Sequence, residues 1–137
     1  MKIKISGYAS YYNIKDYQND IIKPGAFDED IHLFNHQNKK ILLLLHHNQQ
    51  LPVAKIEKIH GDKNGLWIET TINCGDNPLL LKSIDQDLIT DLSIGVIPLD
   101  YYHEKSVKII KKVKLLEISL VTIGANSHCK IINKDLI

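Results

Sequence analysis

Apolar and polar residues alternate with a period of two along much of this chain, the signature of half-buried β-strands. Lys2-Ile3-Lys4-Ile5-Ser6 opens with it, and Leu66, Ile68, Thr70 and Ile72 repeat it behind the turn Gly61-Asp62-Lys63-Asn64-Gly65. The pattern predicts strands around 2–12, 19–23, 40–47, 52–60, 65–73, 91–102 and 107–123, with a short one near 129–133. Ile41-Leu42-Leu43-Leu44-Leu45 is continuously apolar, which suits a strand covered on both faces.

Two stretches read as helices instead. Pro24-Gly25-Ala26-Phe27 ends the early strand and leads into a helix through Phe34, whose first turn carries Asp28, Glu29 and Asp30. Over 77–90, Asp76 stands at the capping position, Pro78 in the first turn, and Leu80, Leu81, Ile84 and Leu88 along one stripe. The expected fold is mainly β with a few helices (α+β): a small closed or partly open antiparallel β-barrel with flanking helices. No repeat, low-complexity stretch or linker divides residues 1–137, so a single domain is expected.

Composition narrows the function classes. The chain has 137 residues, 44% of them hydrophobic and 24% charged, the balance of an ordinary globular domain. All 17 basic residues are lysines, and 16 acidic residues leave a net charge of +1. Without arginine or a basic excess, nucleic acid is a poor partner. Cys74 and Cys129 are too far apart for a C-x-x-C metal site or a disulfide framework. The longest apolar run is far short of a membrane span, so no membrane contact is expected.

Three short segments carry the candidate chemistry: His47 ahead of Pro52, Ser93 within Leu92-Ser93-Ile94-Gly95, and Glu117 within Leu115-Leu116-Glu117-Ile118-Ser119-Leu120-Val121. A hydroxyl and a carboxylate set among aliphatic strand residues need partners, because unpaired burial is costly. A nucleophile, a base and a carboxylate that orients the base make a serine hydrolase triad. In an antiparallel hairpin centred on residue 105, Ser93 and Glu117 lie opposite one another, and a bulge would make them diagonal. The residues also have plainer readings. His46-His47 could be a solvated strand end, Ser93 a small residue at a close contact, and Glu117 a surface partner of Lys112 or Lys114. The remaining histidines, 32, 36, 60, 103 and 128, sit in polar surroundings with no metal-ligand spacing.

The same residues resemble the prohead maturation proteases of tailed bacteriophages and gene transfer agents. The resemblance runs through Gly7-Tyr8-Ala9-Ser10, Asp16, Asp20, Ile22-Lys23-Pro24-Gly25-Ala26-Phe27, Leu44-Leu45-His46-His47-Asn48 with Pro52-Val53, Gly65-Leu66, Leu92-Ser93-Ile94-Gly95, and Leu116 through Thr122 with Ala125-Asn126. It implies a fold similar to the herpesvirus assembly proteases. It also implies a serine endopeptidase, free of cofactor and metal, acting inside the immature capsid in the bacterial cytoplasm. Its substrates would be the scaffolding portion of the major capsid protein and the protease itself, through autoproteolysis or a homodimer. By the resemblance Ser93 is the nucleophile, His47 the base and Glu117 the third member; His46 is the rival base, and the spacing to Pro52 selects His47.

The chain departs from the family's pattern at Val96, where an aromatic residue is common, at Gly124, where proline is common, and at Ala54, where glycine often stands. The missing arginine excludes an arginine-assisted oxyanion hole of the herpesvirus kind, leaving backbone amides, a lysine or water. Two other classes fit parts of the sequence: an inactive capsid-assembly module with the same barrel, and an unrelated small barrel that binds a peptide or nucleic acid.

Overall fold

The last long stretch predicted as a strand becomes the longest strand, and one of the two sheets is arranged along its two edges. In the computed structural model, which describes residues 1–137, the elements are β1 (Lys2–Tyr11), β2 (Asp20–Ile22), α1 (Asp28–His36), β3 (Leu42–Leu45), β4 (Asn48–Lys55), β5 (Lys58–Gly61), β6 (Gly65–Asn73), α2 (Pro78–Asp85), β7 (Asp91–Glu104), β8 (Val107–Val121) and β9 (Ile131–Leu136). One edge of β8 takes β7 antiparallel along its whole length. The other edge takes two short strands in turn, both parallel: β2 at Lys108–Ile110 and β3 at Ile118–Leu120. β4 then pairs antiparallel with β3. A second sheet has the antiparallel order β5-β6-β1-β9.

The mainly β class therefore holds, on the open side of the closed or partly open barrel expected, with one correction to its antiparallel pairing. The sheets do not close, and two pairings are parallel. Period-two alternation specifies which face a residue occupies but not which direction its neighbour runs, so parallel pairing was not legible. The sheets meet at two corners: Thr70 Oγ1 donates to Lys55 O at 2.6 Å at one, and at the other Asp91 bridges Lys130 and Leu92 N donates to Cys129 O at 2.8 Å. Beyond that corner β7 has β8 as its only strand partner.

Between β2 and β3 the edge of β8 has no strand beside it, and the start of α1 fills the gap. Val113 N donates to Ala26 O at 3.2 Å, and Leu115 N donates to Asp30 Oδ1 at 2.9 Å. Lys39 Nζ donates to the same oxygen at 2.7 Å and to Leu115 O at 3.0 Å. Asp30 thus stands in for a strand carbonyl, which accounts for a carboxylate only 3% exposed. The lysines of 108–114 consequently lie on a central strand. Lys112 pairs with Glu29 at 2.8 Å, and Lys108 lies over the Tyr101 ring.

The core is one cluster of 25 buried residues drawn from the inward positions of both sheets, including Ile3, Ile5, Leu66, Ile68, Leu92, Ile118 and Leu120. Phe27, Leu80 and Ile84 enter it from the helical segments. Each such side chain contributes about 1.5–3 kcal/mol by leaving water. The boundaries shift where the chain changes partners. The strand predicted over 52–60 splits because Ile56 N donates to Ile41 O in one sheet while Glu57 N donates to Glu69 O in the other. α2 is capped by Asn77, whose Oδ1 accepts from Leu80 N at 3.1 Å, and not by Asp76. It stops at Asp85, since Asp87 adopts φ 59° and Lys134 Nζ takes up the carbonyls of Ile84 and Asp85. The last strand begins at Ile131 because Cys129 and Lys130 are committed to the start of β7. No helix is long and apolar enough to cross a membrane.

Asp91 locks this corner by accepting hydrogen bonds from Lys130 Nζ at 2.8 Å, Thr90 Oγ1 at 2.9 Å and Gly124 N at 3.0 Å. Burial pushes its carboxyl pKa up, but the bonds from Lys130, Gly124 and Thr90 outweigh that and hold it below the usual carboxylate range. With the folded value below the unfolded one, this stability is present above the unfolded pKa and is lost as pH falls through the folded value. Asp91→Asn should therefore cost about 2 kcal/mol at pH 7, and the difference from wild type should be smaller at about pH 3. Urea titrations at both pH values measure it, and a pH-independent difference would contradict the assignment. Burial also raises the Cys74 thiol and pushes Cys129 up to about 12. Iodoacetamide at pH 7.5 should leave both unmodified in the folded chain and alkylate both in urea, as read by mass analysis. Rapid native labelling of Cys129 would contradict its burial.

Candidate active site

The connection between β3 and β4 is two residues long, and both are histidines. His46 and His47 have φ of 53° and 58°, the pair of positive angles that a type I′ hairpin turn requires. Residues other than glycine resist that conformation by roughly 1–2 kcal/mol each. The turn is held against β8: His46 N donates to Leu120 O at 2.9 Å and His47 N to Ser119 Oγ at 3.1 Å. β3 thus ends two residues earlier than its sequence suggests, and His47 belongs to the turn. His46 is exposed and its side chain makes no hydrogen bond, whereas the His47 ring turns onto the face of the large sheet.

On that face the register of β7 and β8 is decisive. Ser93 is directly opposite Ser119, and Gly95 is opposite Glu117. The expected facing of Ser93 and Glu117 is corrected to a diagonal for two reasons. The hairpin turn is Lys105-Ser106, with φ of 49° and 71°, so its centre falls between those residues. Leu116 is then left unpaired between the Gly95–Glu117 and Val96–Leu115 pairs, a bulge that moves the register again.

The imidazole of His47 spans the diagonal. Nε2 is 3.1 Å from Ser93 Oγ and Nδ1 is 2.6 Å from Glu117 Oε1. Both fall within the reach that joins nucleophile to base and base to orienting group. The structure brings together all three residues singled out in the sequence. Ser93 is 7% exposed and the Glu117 side chain 13%, while that of His47 is 43% exposed. Glu117 pairs with His47, not with Lys112 or Lys114.

Two neighbours escaped the sequence reading. Ser119 is fully buried; its hydroxyl accepts from His47 N and donates to Glu117 Oε2 at 2.6 Å. A Cβ at Gly95 would collide with Glu117 Oε1, so only glycine leaves the carboxylate its place. The usable signal was their spacing: Ser119 is two residues after Glu117, and Gly95 two after Ser93, hence on the same strand faces.

Ser93 also borders a cleft where the sheets fail to close. Ser10, Tyr11, Asp16, Val96 and Asn126 are among the residues lining it. Burial raises the Asp16 carboxyl, against the lowering effect of the Asp20 and Gln18 amides it accepts from. His32, His36, His60, His103 and His128 are exposed, and no three histidine, cysteine, aspartate or glutamate side chains gather where they could hold a metal ion.

Comparison with known proteins follows the same lines. A family model described as caudovirus prohead serine protease matches residues 1–136. The prohead protease of Enterobacteria phage HK97 is 32% identical over 130 residues, covering 91% of this chain and 57% of the relative. That of Escherichia phage T5 is 29% identical over 126 residues, covering 90% and 59%. The chain thus spans somewhat under three fifths of the length of the curated relatives it matches. Among solved structures, the capsid assembly protease of bacteriophage T4 superposes with a TM-score of 0.71 at 14% identity, over 86% of this chain and 80% of that one. The varicella-zoster virus protease gives 0.64 at 14% identity, over 100% and 65%. At such identities the likeness is one of fold. The family match over nearly the whole chain is what assigns it: this protein belongs to the caudovirus prohead serine protease family.

Proposed function

We propose that this chain is a serine endopeptidase of capsid maturation, with residues 1–137 acting as one catalytic unit. The observation that carries the reading is the imidazole of His47 held between Ser93 Oγ and Glu117 Oε1. His47 Nε2 takes the proton of Ser93 as the hydroxyl attacks a peptide carbonyl. Glu117 keeps the Nδ1–H tautomer and stabilises the imidazolium, and His47 then returns the proton to the leaving amine. Water, deprotonated by the same nitrogen, releases the acyl group from Ser93. These steps need no metal or cofactor. In the absence of arginine, the oxyanion of the tetrahedral intermediate is left to backbone amides, a lysine or water.

The surroundings of Ser93 fit a polypeptide substrate. From Ser93 onwards β7 has a strand partner on one edge only, so an extended segment can add to its free edge and present its carbonyl to the nucleophile. Ile97 and Leu99, 45% and 52% exposed, continue that strand with apolar side chains for such a segment to cover. The family points to the scaffolding portion of the major capsid protein, and to the protease itself, as the chains cleaved inside the prohead.

Ser93→Ala and His47→Ala should each lower cleavage of the co-expressed capsid protein by about a millionfold while the fold is retained, as loss of either does in comparable enzymes. His46→Ala should cleave normally. A serine-directed phosphonate should label the wild type at Ser93, and a folded, unlabelled, inactive wild type would instead describe an inactive assembly module. Glu117→Gln should lower turnover by roughly ten-thousandfold. Wild-type rates in Glu117→Gln would reduce the site to a Ser93–His47 dyad.

A further inference from the structure

We infer that Ser119, together with Gly95, is the positioning device of this site: Ser119 ties the backbone of the base to the carboxylate, and Gly95 leaves the carboxylate room to reach it. The inference rests on the triad reading above and assigns roles that the triad leaves open.

Four positions on the sheet face form a square, with Ser93 opposite Ser119 and Gly95 opposite Glu117. Glu117 must leave its own strand direction to reach His47, because the residue it serves lies beyond the end of β3 and not across the ladder. Two things hold it there. Its Oε2 accepts the hydroxyl proton of Ser119 at 2.6 Å, leaving Oε1 for His47 Nδ1 at 2.6 Å. On the other side, the missing side chain of Gly95 provides the volume that Oε1 occupies. Ser119 also accepts from His47 N at 3.1 Å, which secures the left-handed backbone from which the ring projects. One hydroxyl thereby serves as donor to the orienting acid and acceptor from the base. It is fully buried, so water cannot replace it on either side. Ser119 reaches no reacting atom itself and acts through Glu117 and His47.

Ser119→Ala removes both bonds with little change of volume. Its kcat should fall about 10- to 100-fold with KM within about twofold, the effect expected when support for a reacting group is lost but substrate contacts are kept. Gly95→Ala should give the same split by displacing Glu117 from the other side. The accompanying readout needs no turnover. In the Ser93→Ala background, the His47 Nδ1 proton held by Glu117 should give a low-field imidazole resonance in slow exchange, and adding Ser119→Ala or Gly95→Ala should broaden or remove it. A Ser119→Ala chain that is folded, retains the resonance and turns over within twofold of wild type would overturn the inference. If Ser119→Ala does not fold, Gly95→Ala with unchanged kcat and an intact resonance overturns it equally. Activity remaining in Ser93→Ala would defeat the triad reading instead, while the resonance would still report whether Ser119 and Gly95 hold His47 on Glu117.

Discussion

The antiparallel pairing of β7 with β8 is the constraint on which the rest depends. It joins the two longest strands, sets Ser93 and Glu117 on one face, and offers the far edge of β8 to β2, α1 and β3 in succession. A strand pair without its bulge at Leu116 would turn Glu117 to the opposite face, because the side-chain period is two. The bulge is thus part of the site. Its cost is an unpaired residue, which lies on the exposed surface, where Leu116 is 49% accessible.

A second constraint follows from the first. Once Glu117 is diagonal to Ser93, a histidine can connect them only from outside the ladder, and a turn at the end of β3 supplies it. That turn is strained at both residues, and its amides, donating to Leu120 O and to the Ser119 hydroxyl, hold it against β8. Local strain at a site is retained when the surroundings over-determine it, and here they do so through the strand that also carries the carboxylate. The unclosed side of the fold completes the arrangement: β7 runs free of a second partner from the residue where the cleft begins.

Charge is handled locally and not as a field. The net charge is only +1, and the buried carboxylates are each tied to particular donors. Asp30 completes the edge of β8, and Asp91 pins the Gly124 segment to the start of β7. Asp30 replaces a missing ladder bond to Leu115 N, whereas Asp91, itself paired with Val121 and Lys130, reaches out to the amide of Gly124; each keeps a backbone amide satisfied without extending the sheet.

The sequence by itself determined the strand-rich class and most element positions, and it singled out His47, Ser93 and Glu117 as candidates. Alternation is a local record of which face meets the core, and a polar residue among aliphatic ones marks a side chain that needs a partner. It did not reveal the parallel pairing of β2 and β3, the exchange of sheets at Ile56-Glu57, or the central place of the lysine-rich part of β8, since direction and neighbour are properties of two strands and not of one. Ser119 and Gly95 looked like any small residues in a strand. Only the tertiary structure made them distinct, because their significance lies in what faces them: a hydroxyl is a support only when a carboxylate and a backbone amide both come within its reach, and a glycine is a space only when another side chain fills it.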